Sequence, residues 1–236
     1  MGKVTSHESR VTSHGFFVTG TDTGVGKTLV ACSLLKAFAA LGVKAVGMKP
    51  IACGGVSGEE GLIHADVEHL LASGNVAAPR EHVNPYCFAP PIAPHIAARQ
   101  AGVTIALDRI ERSFHALAAL AEVVVVEGVG GFRVPLGAHT DTAQLAARLA
   151  LPVVLVVGLR LGCLNHALLT AESIGARGLK LAGWVANHID PAMAAVEDNV
   201  RTLEEGISAP LLARIAFSSH PDPGMAAAAF DTARLA

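Results

Sequence analysis

Gly15-Phe16-Phe17-Val18-Thr19-Gly20-Thr21-Asp22-Thr23-Gly24-Val25-Gly26-Lys27-Thr28 is the stretch on which the reading of the fold turns. A short apolar run over 15–20 predicts a strand. A Gly-rich turn follows, and residues 28–41 carry Ala and Leu at helical period, with Gly42 where a helix-ending glycine is expected. The turn departs from the strict phosphate-loop spacing G-x-x-x-x-G-K-[ST]: the position five before Gly26 is Thr21, and the glycine stands one residue earlier. The chemistry survives the extra residue. Gly24 and Gly26 let backbone N–H groups turn onto phosphate oxygens. Lys27 is placed to bridge β- and γ-phosphates, Thr28 to put its hydroxyl on Mg²⁺, and the helix N-terminus favours an anion. A Gly-rich strand-to-helix turn without a ligand is the plainer alternative. The Gly-Lys-Thr triplet between an apolar strand and a helix favours a nucleotide.

Outward from the loop, β-rich runs alternate with helical segments. Strands are predicted over 43–48, 123–126, 151–157, 181–185 and 211–216, and helices over 62–73, 108–121 (capped by Asp108), 165–177 and 191–205. The stretch 83–94 holds Pro85, Pro90, Pro91 and Pro94 and reads as a loop that cannot form a central strand. The apolar runs have the character of strands buried on both faces. The chain is therefore read as α/β: a single-domain P-loop NTPase fold, a mostly parallel β-sheet with helices on both faces, over residues 15–236. Residues 1–14 are polar and read as a disordered extension without an apolar signal region. Ligands of such sheets bind at the carboxyl ends of the strands.

Composition narrows the partners. Of 236 residues, 51% are apolar but only 4% aromatic, so the core is built from Ala, Val, Leu and Ile. Lys plus Arg number 18 against 20 for Asp plus Glu, a net charge of −2 that does not suggest nucleic acid as a partner. Mean hydropathy is +0.46, yet the longest apolar runs reach about half of the ~20 residues of a spanning helix. No membrane partner is expected. Four cysteines, at 32, 53, 87 and 163, form neither a close pair nor a zinc motif, which fits a reducing cytoplasm.

Other candidates lie at strand ends. Glu127 closes the run Val123–Val126 and precedes Gly128-Val129-Gly130-Gly131, on the same edge as the phosphate loop. It reads as a Mg²⁺ ligand of the Walker B kind or as a solvated loop acid. Asp66 is a second metal carboxylate or an ordinary first-turn acid. Lys49, before Pro50, either neutralises a transferring phosphoryl group or is a surface lysine. Arg160 and the turn Gly162-Cys163-Leu164-Asn165 either bind a carboxylate with free N–H groups or are a helix start capped by Asn165. Asn187, with His188 after it, follows a strand, where an amide reads an adenine edge or simply forms a turn. His64, His69, His82 and His95 lack metal-ligand spacing and read as surface or loop residues.

Together these pieces resemble the dethiobiotin synthetase family. The resemblance runs from about Phe16 to Leu212. It is carried by FVTGTDTGVGKT, GMKPIACGG, NPYCFAPPIAPHIAA, VVVEGVGGFRVPL, LPVVLVVGLRLGCLNHALLT and LAGWVANH. The family implies a homodimeric ATP-dependent carboxylase that joins CO₂ or bicarbonate to 7,8-diaminopelargonate, through a carbamate and its phosphorylated anhydride. The products are dethiobiotin, ADP and phosphate. By similarity Thr28, Asp66 and Glu127 share Mg²⁺. Gly24, Val25, Gly26, Lys27, Thr28 and Leu29 cradle the triphosphate, with Gly128, Val129, Gly130 and His188 also on the nucleotide. Thr23, Lys27 and Lys49 line the carbamate and γ-phosphate region, Asn187 meets adenine, and Gly162 to Asn165 bind the substrate carboxylate from the other subunit. Cys53 stands where the family commonly has a hydroxyl residue, and 213–222 departs from the segment that holds the base. Two rival classes resemble parts of the chain. A partitioning (ParA/MinD-like) nucleotide-switch ATPase usually carries a second loop lysine, where this chain has Asp22 and Thr23. A cobyric-acid-type amide ligase usually adds a glutamine-hydrolysing domain.

Overall fold

A computed structural model describes residues 14–59 and 61–231. The expected extension over 1–14 lies outside them, apart from His14, where β1 already begins. The central sheet is six-stranded and wholly parallel. It comprises β1 (His14–Gly20), β2 (Ala45–Met48), β7 (Val123–Glu127), β8 (Val153–Leu159), β9 (Leu181–His188) and β10 (Leu211–Ile215), in the order β10-β9-β8-β1-β7-β2. The side-chain period of two splits each strand between two cores. Phe17, Val124, Val126, Leu155, Val157 and Trp184 face one layer. Phe16, Val18, Val123, Val125, Val154, Val156 and Val185 face the other. Both layers are filled by helices: α1 (Lys27–Ala40) lies on the second, with Val30, Leu34, Leu35 and Phe38 inward. The first is covered largely by α5 (Leu107–Ala118), α6 (Thr142–Leu149), α7 (Cys163–Ala176) and α8 (Val196–Gly206).

After β1 the chain crosses to β2 on one side, and later returns through β7 to β8 on the other. Strand order thus reverses at β1, and the crevice at its carboxyl end is where such sheets bind ligands. Register places Glu127 beside Val18 and Val156 beside Gly20, so the loop and the acid share that edge.

Several expected boundaries move, each for a local reason. The helix expected over 62–73 is divided: β4 (Val56–Gly58) and β5 (Gly61–Ile63) form an antiparallel hairpin, and α2 (Ala65–Ser73) starts only after His64. Within 83–94, β6 (Tyr86–Phe88) pairs in parallel with β3 (Ile51–Cys53), apart from the central sheet, where the flanking prolines cost no ladder bond. Short helices α3 (Arg80–Val83), α4 (Pro94–Gln100) and α9 (Pro223–Ala227) complete the described chain. Asp108 does not cap α5: Ala106 does, and Asp108 pairs with Arg148 at 2.7 Å. Helix α8 begins at Val196, five residues later than expected, after a left-handed Ala195. Helix α6 escaped the period reading altogether, although Asp141 and Gln144 form a full capping box.

Candidate active site

The phosphate loop closes on Gly26, which caps α1 in the left-handed region at φ +91 without any side-chain cap, so the first N–H groups of the helix face outward unpaired by a cap. A Cβ there would lie 2.2 Å from Asn187 Nδ2, so only glycine fits. Asn187 does not follow β9 but lies within it, buried. Its amide donates to the Val25 carbonyl at 2.8 Å, bracing the loop from beneath. Val25 itself is buried and packs over Gly158, so it offers the loop's ligand only its backbone.

Lys27 folds back to donate to the Asp22 carbonyl at 2.8 Å. Burial, and then the neighbouring Lys49 charge, push its ammonium down to about 8. Lys49 is also buried, and its backbone is fixed by Lys49 N–H to Val83 O at 2.8 Å and Asn84 Nδ2 to Lys49 O at 2.6 Å. Its Nζ stands 2.7 Å from Asp66 Oδ2 and 2.5 Å from Glu127 Oε1. Burial alone would lower it, but the two carboxylates outweigh that and hold the ammonium above its ordinary range. Asp66 answers in kind: burial opposes its charge, and Lys49 holds its carboxyl below the usual value. The two lysines thus move in opposite directions: Lys49 bonds both carboxylates directly, whereas at Lys27 the more distant carboxylates do not outweigh burial and the Lys49 charge.

Thr28 Oγ1 donates to Glu127 Oε1 at 2.8 Å, while Glu127 Oε2 is buried without a partner. Thr28, Asp66 and Glu127 therefore converge, with an orphaned carboxylate oxygen among them. Among the described residues no cluster of three or more His, Cys, Asp or Glu is arranged for a metal ion. Two carboxylates and a hydroxyl form a hard-oxygen set of the kind that Mg²⁺ completes with water and phosphate.

These groups line a cavity of about 420 Å³ with Thr23, Gly24, Gly26, Cys53, His64, Val129 and Gly130. Gly128 lies beside it: its N–H donates to Val18 O at 2.9 Å and its carbonyl is 3.5 Å from Lys49 Nζ. Cys53 is half-buried, and burial with Cys87 nearby pushes its thiol up. His64, set aside by its sequence context, belongs here: Nδ1 accepts from the Asp66 N–H at 3.2 Å and Nε2 lies 3.1 Å from the Cys53 carbonyl. Its signal was positional, a polar residue two before a candidate carboxylate.

The remaining candidates lie apart from this cavity. Leu29 lines a second cavity of about 370 Å³ with residues from Arg214 to Ala229, among them most of the divergent 213–222 segment. His188 lines a third, of about 220 Å³, with Arg214 and Ile215. Gly162 caps α7 at φ +93 with no side-chain cap. Asn165 is inside the helix, not its cap, and Cys163 is buried. The turn reaches the phosphate loop through Arg160, whose Nη2 is 2.6 Å from Asp22 Oδ2. That guanidinium and the Thr23 N–H keep the Asp22 carboxyl below its usual value, the N–H foremost.

A family model described as an AAA domain matches residues 14–221. The chain is 51% identical over 221 residues to the ATP-dependent dethiobiotin synthetase BioD of Nitrosospira multiformis, covering 94% of this chain and 96% of that protein. It is 52% identical over 219 residues to the enzyme of the same name from Ralstonia nicotianae, covering 93% and 96%. Among solved structures it resembles the MinD cell division protein of Aquifex aeolicus, with a TM-score of 0.55 at 15% identity over 91% and 93% of the two chains. A ParA family ATPase from Chlorobium tepidum gives 0.53 at 14% identity over 88% and 86%. At that identity the two structures establish the shared fold and nothing of the chemistry. The sequence relatives carry the assignment: this chain belongs to the family of ATP-dependent dethiobiotin synthetases.

Proposed function

We propose that the cavity at the carboxyl end of β1 carboxylates 7,8-diaminopelargonate and closes its ureido ring at the expense of ATP, as befits a dethiobiotin synthetase. The reading rests above all on one observation: two buried lysines, two carboxylates and a threonine hydroxyl converge on the phosphate loop. One amine of the substrate attacks CO₂ and loses a proton, giving a carbamate. A carbamate oxygen attacks the γ-phosphorus as the bond to the bridging oxygen breaks, and ADP leaves. The second amine attacks the carbonyl of the mixed anhydride, the new C–N bond closes the ring, and phosphate departs.

The second step brings one anion onto another. Lys27 and Lys49 offset that repulsion with positive charge held in a desolvated place, where it acts strongly. The bare N–H groups after Gly26 receive the phosphates. Thr28, Asp66 and Glu127 are the residues that would hold Mg²⁺, which supplies Lewis-acid neutralisation of phosphate charge. Thr23 and Cys53 border the carbamate side, and the cavity walls limit the water that would favour decarboxylation. Leu29, Asn187 and His188 serve the nucleotide from outside the cavity, Asn187 by holding the loop.

We also assign a homodimer. Leu161 is 95% exposed, Leu169 57% and Leu168 38%, all on or just before α7 and next to the Gly162–Asn165 turn. A second copy covering this face would bury the leucines and bring the turn's N–H groups to its neighbour's substrate carboxylate.

Lys49 tests the reading. Removing its charge, in Lys49→Ala or Lys49→Gln, is expected to lower kcat about 10²–10³-fold in both. Equal, near-wild-type turnover in the two variants would contradict it.

A further inference from the structure

The chain leaves β3 at Cys53, where Gly54, at φ +98, turns it away. Gly54 and Gly55 both donate their N–H groups to Phe88 O at 2.9 Å. The β4–β5 hairpin then carries the chain out and back to His64, the residue that opens α2. The Asp66 N–H is necessarily a donor, so His64 Nδ1 is the acceptor and the ring proton sits on Nε2. That Nε2–H points at the Cys53 carbonyl, 3.1 Å away and eleven residues back. One imidazole, 17% exposed, therefore closes the base of the hairpin and starts the helix that presents Asp66. Its two partners, Cys53 and Asp66, both line the one cavity, Asp66 with Thr28 and Glu127.

Helix capping does not call for this side chain. Asn, Asp or Ser starts a helix better, from a shorter reach. What those residues lack is the span to the Cys53 carbonyl.

We propose that His64 is a positioning residue of the carboxylation, its Nε2–H tautomer fixing the Cys53 wall against the Asp66 carboxylate. The assignment rests on the function proposed above. The geometry of a bound reactant is sensitive at this scale, since a misplacement of about 1 Å is worth up to ~10²-fold in rate.

His64→Asn separates the two roles, because it keeps a capping oxygen and loses the reach. We expect it to melt within a few degrees of the wild type. Its KM for the diamine should rise about tenfold while KM for ATP stays within about twofold. His64→Gln, whose longer amide again reaches toward Cys53, should recover the diamine KM to within about threefold of wild type. A second readout needs no turnover: in ligand-free His64→Asn, thiol labelling of Cys53 should quicken several-fold, with Cys87 unchanged, as followed by peptide mass spectrometry. An unchanged diamine KM together with unchanged Cys53 labelling would overturn the proposal. So would a rise of both KM values together with a lowered melting temperature, since that marks a cap and nothing more. Were the wild type to make no cyclic urea, the proposed function would fall instead, and the labelling comparison would still decide the role of His64.

Discussion

Lys49 and Glu127 are separated by 78 positions and meet at 2.5 Å inside the protein. Neither residue's context alone distinguished a buried functional group from a surface one; the sheet register did, by bringing both strand ends to one edge. A buried charge survives only when paired, and here one ammonium answers two carboxylates. The cysteines show the same dependence on place. Burial pushes the Cys32 thiol up to about 11 and leaves it with no exposed surface, and Cys163 is also buried. A thiol whose pKa is raised holds less thiolate at any lower pH and reacts more slowly. Burial raises the Cys53 and Cys87 thiols as well, so access decides: at pH 8 a chromogenic disulfide should titrate the half-buried Cys53 and Cys87 in the folded protein, and all four cysteines only in denaturant. Nucleotide with diamine should protect Cys53, which lines the cavity, and not Cys87. Early modification of Cys32 would contradict the packing of α1 on the sheet. His64 was misread at this scale, because a lone histidine in a loop carries no periodicity and no ligand spacing to mark it.

Elements were legible where one physical rule governed them. The apolar strands β7 and β8 and the glycine-led helix α1 declared themselves through period and caps. Boundaries failed where tertiary contacts decided. The β4–β5 hairpin is too short to announce itself, and its pairing, not its composition, takes Leu62 and Ile63 out of the helix. Asn187 is expected just after its strand, as an adenine contact or a turn residue, because β9 runs three residues past the apolar run 181–185. Helix α6 is eight residues long, too short for apolar period to mark it, and its sequence signal is the Asp141–Gln144 capping box. Helix α7 makes the element-scale prediction. Its leucines near the Gly162 turn face solvent in one chain. Leu169→Glu should leave the fold intact, since the site is exposed. It should convert a dimer to a monomer in light scattering and raise the diamine KM about tenfold or more through loss of the neighbour's carboxylate site. A wild-type monomer with full turnover would contradict the assignment.

At the scale of the whole molecule, the parallel order of the sheet gives a crevice at the carboxyl end of β1 that gathers residues from the loops after β1 and β2, from α1, β3 and α2, and from the end of β7. The architecture followed from strand–helix alternation, and structures as distant as MinD share it at 15% identity. The chemistry did not follow from the architecture; it needed the specific residues at the strand ends and relatives at 51–52% identity. Among the described residues no helix is long and apolar enough to cross a membrane. The central claim is that phosphate transfer here serves carboxylation of a diamine. It is tested most directly by incubating the protein with ATP, Mg²⁺, 7,8-diaminopelargonate and ¹³C-bicarbonate and reading the products by mass spectrometry. The account predicts a cyclic urea carrying one ¹³C, formed in step with ADP. ADP release that ignores the diamine, with no labelled product, would contradict it.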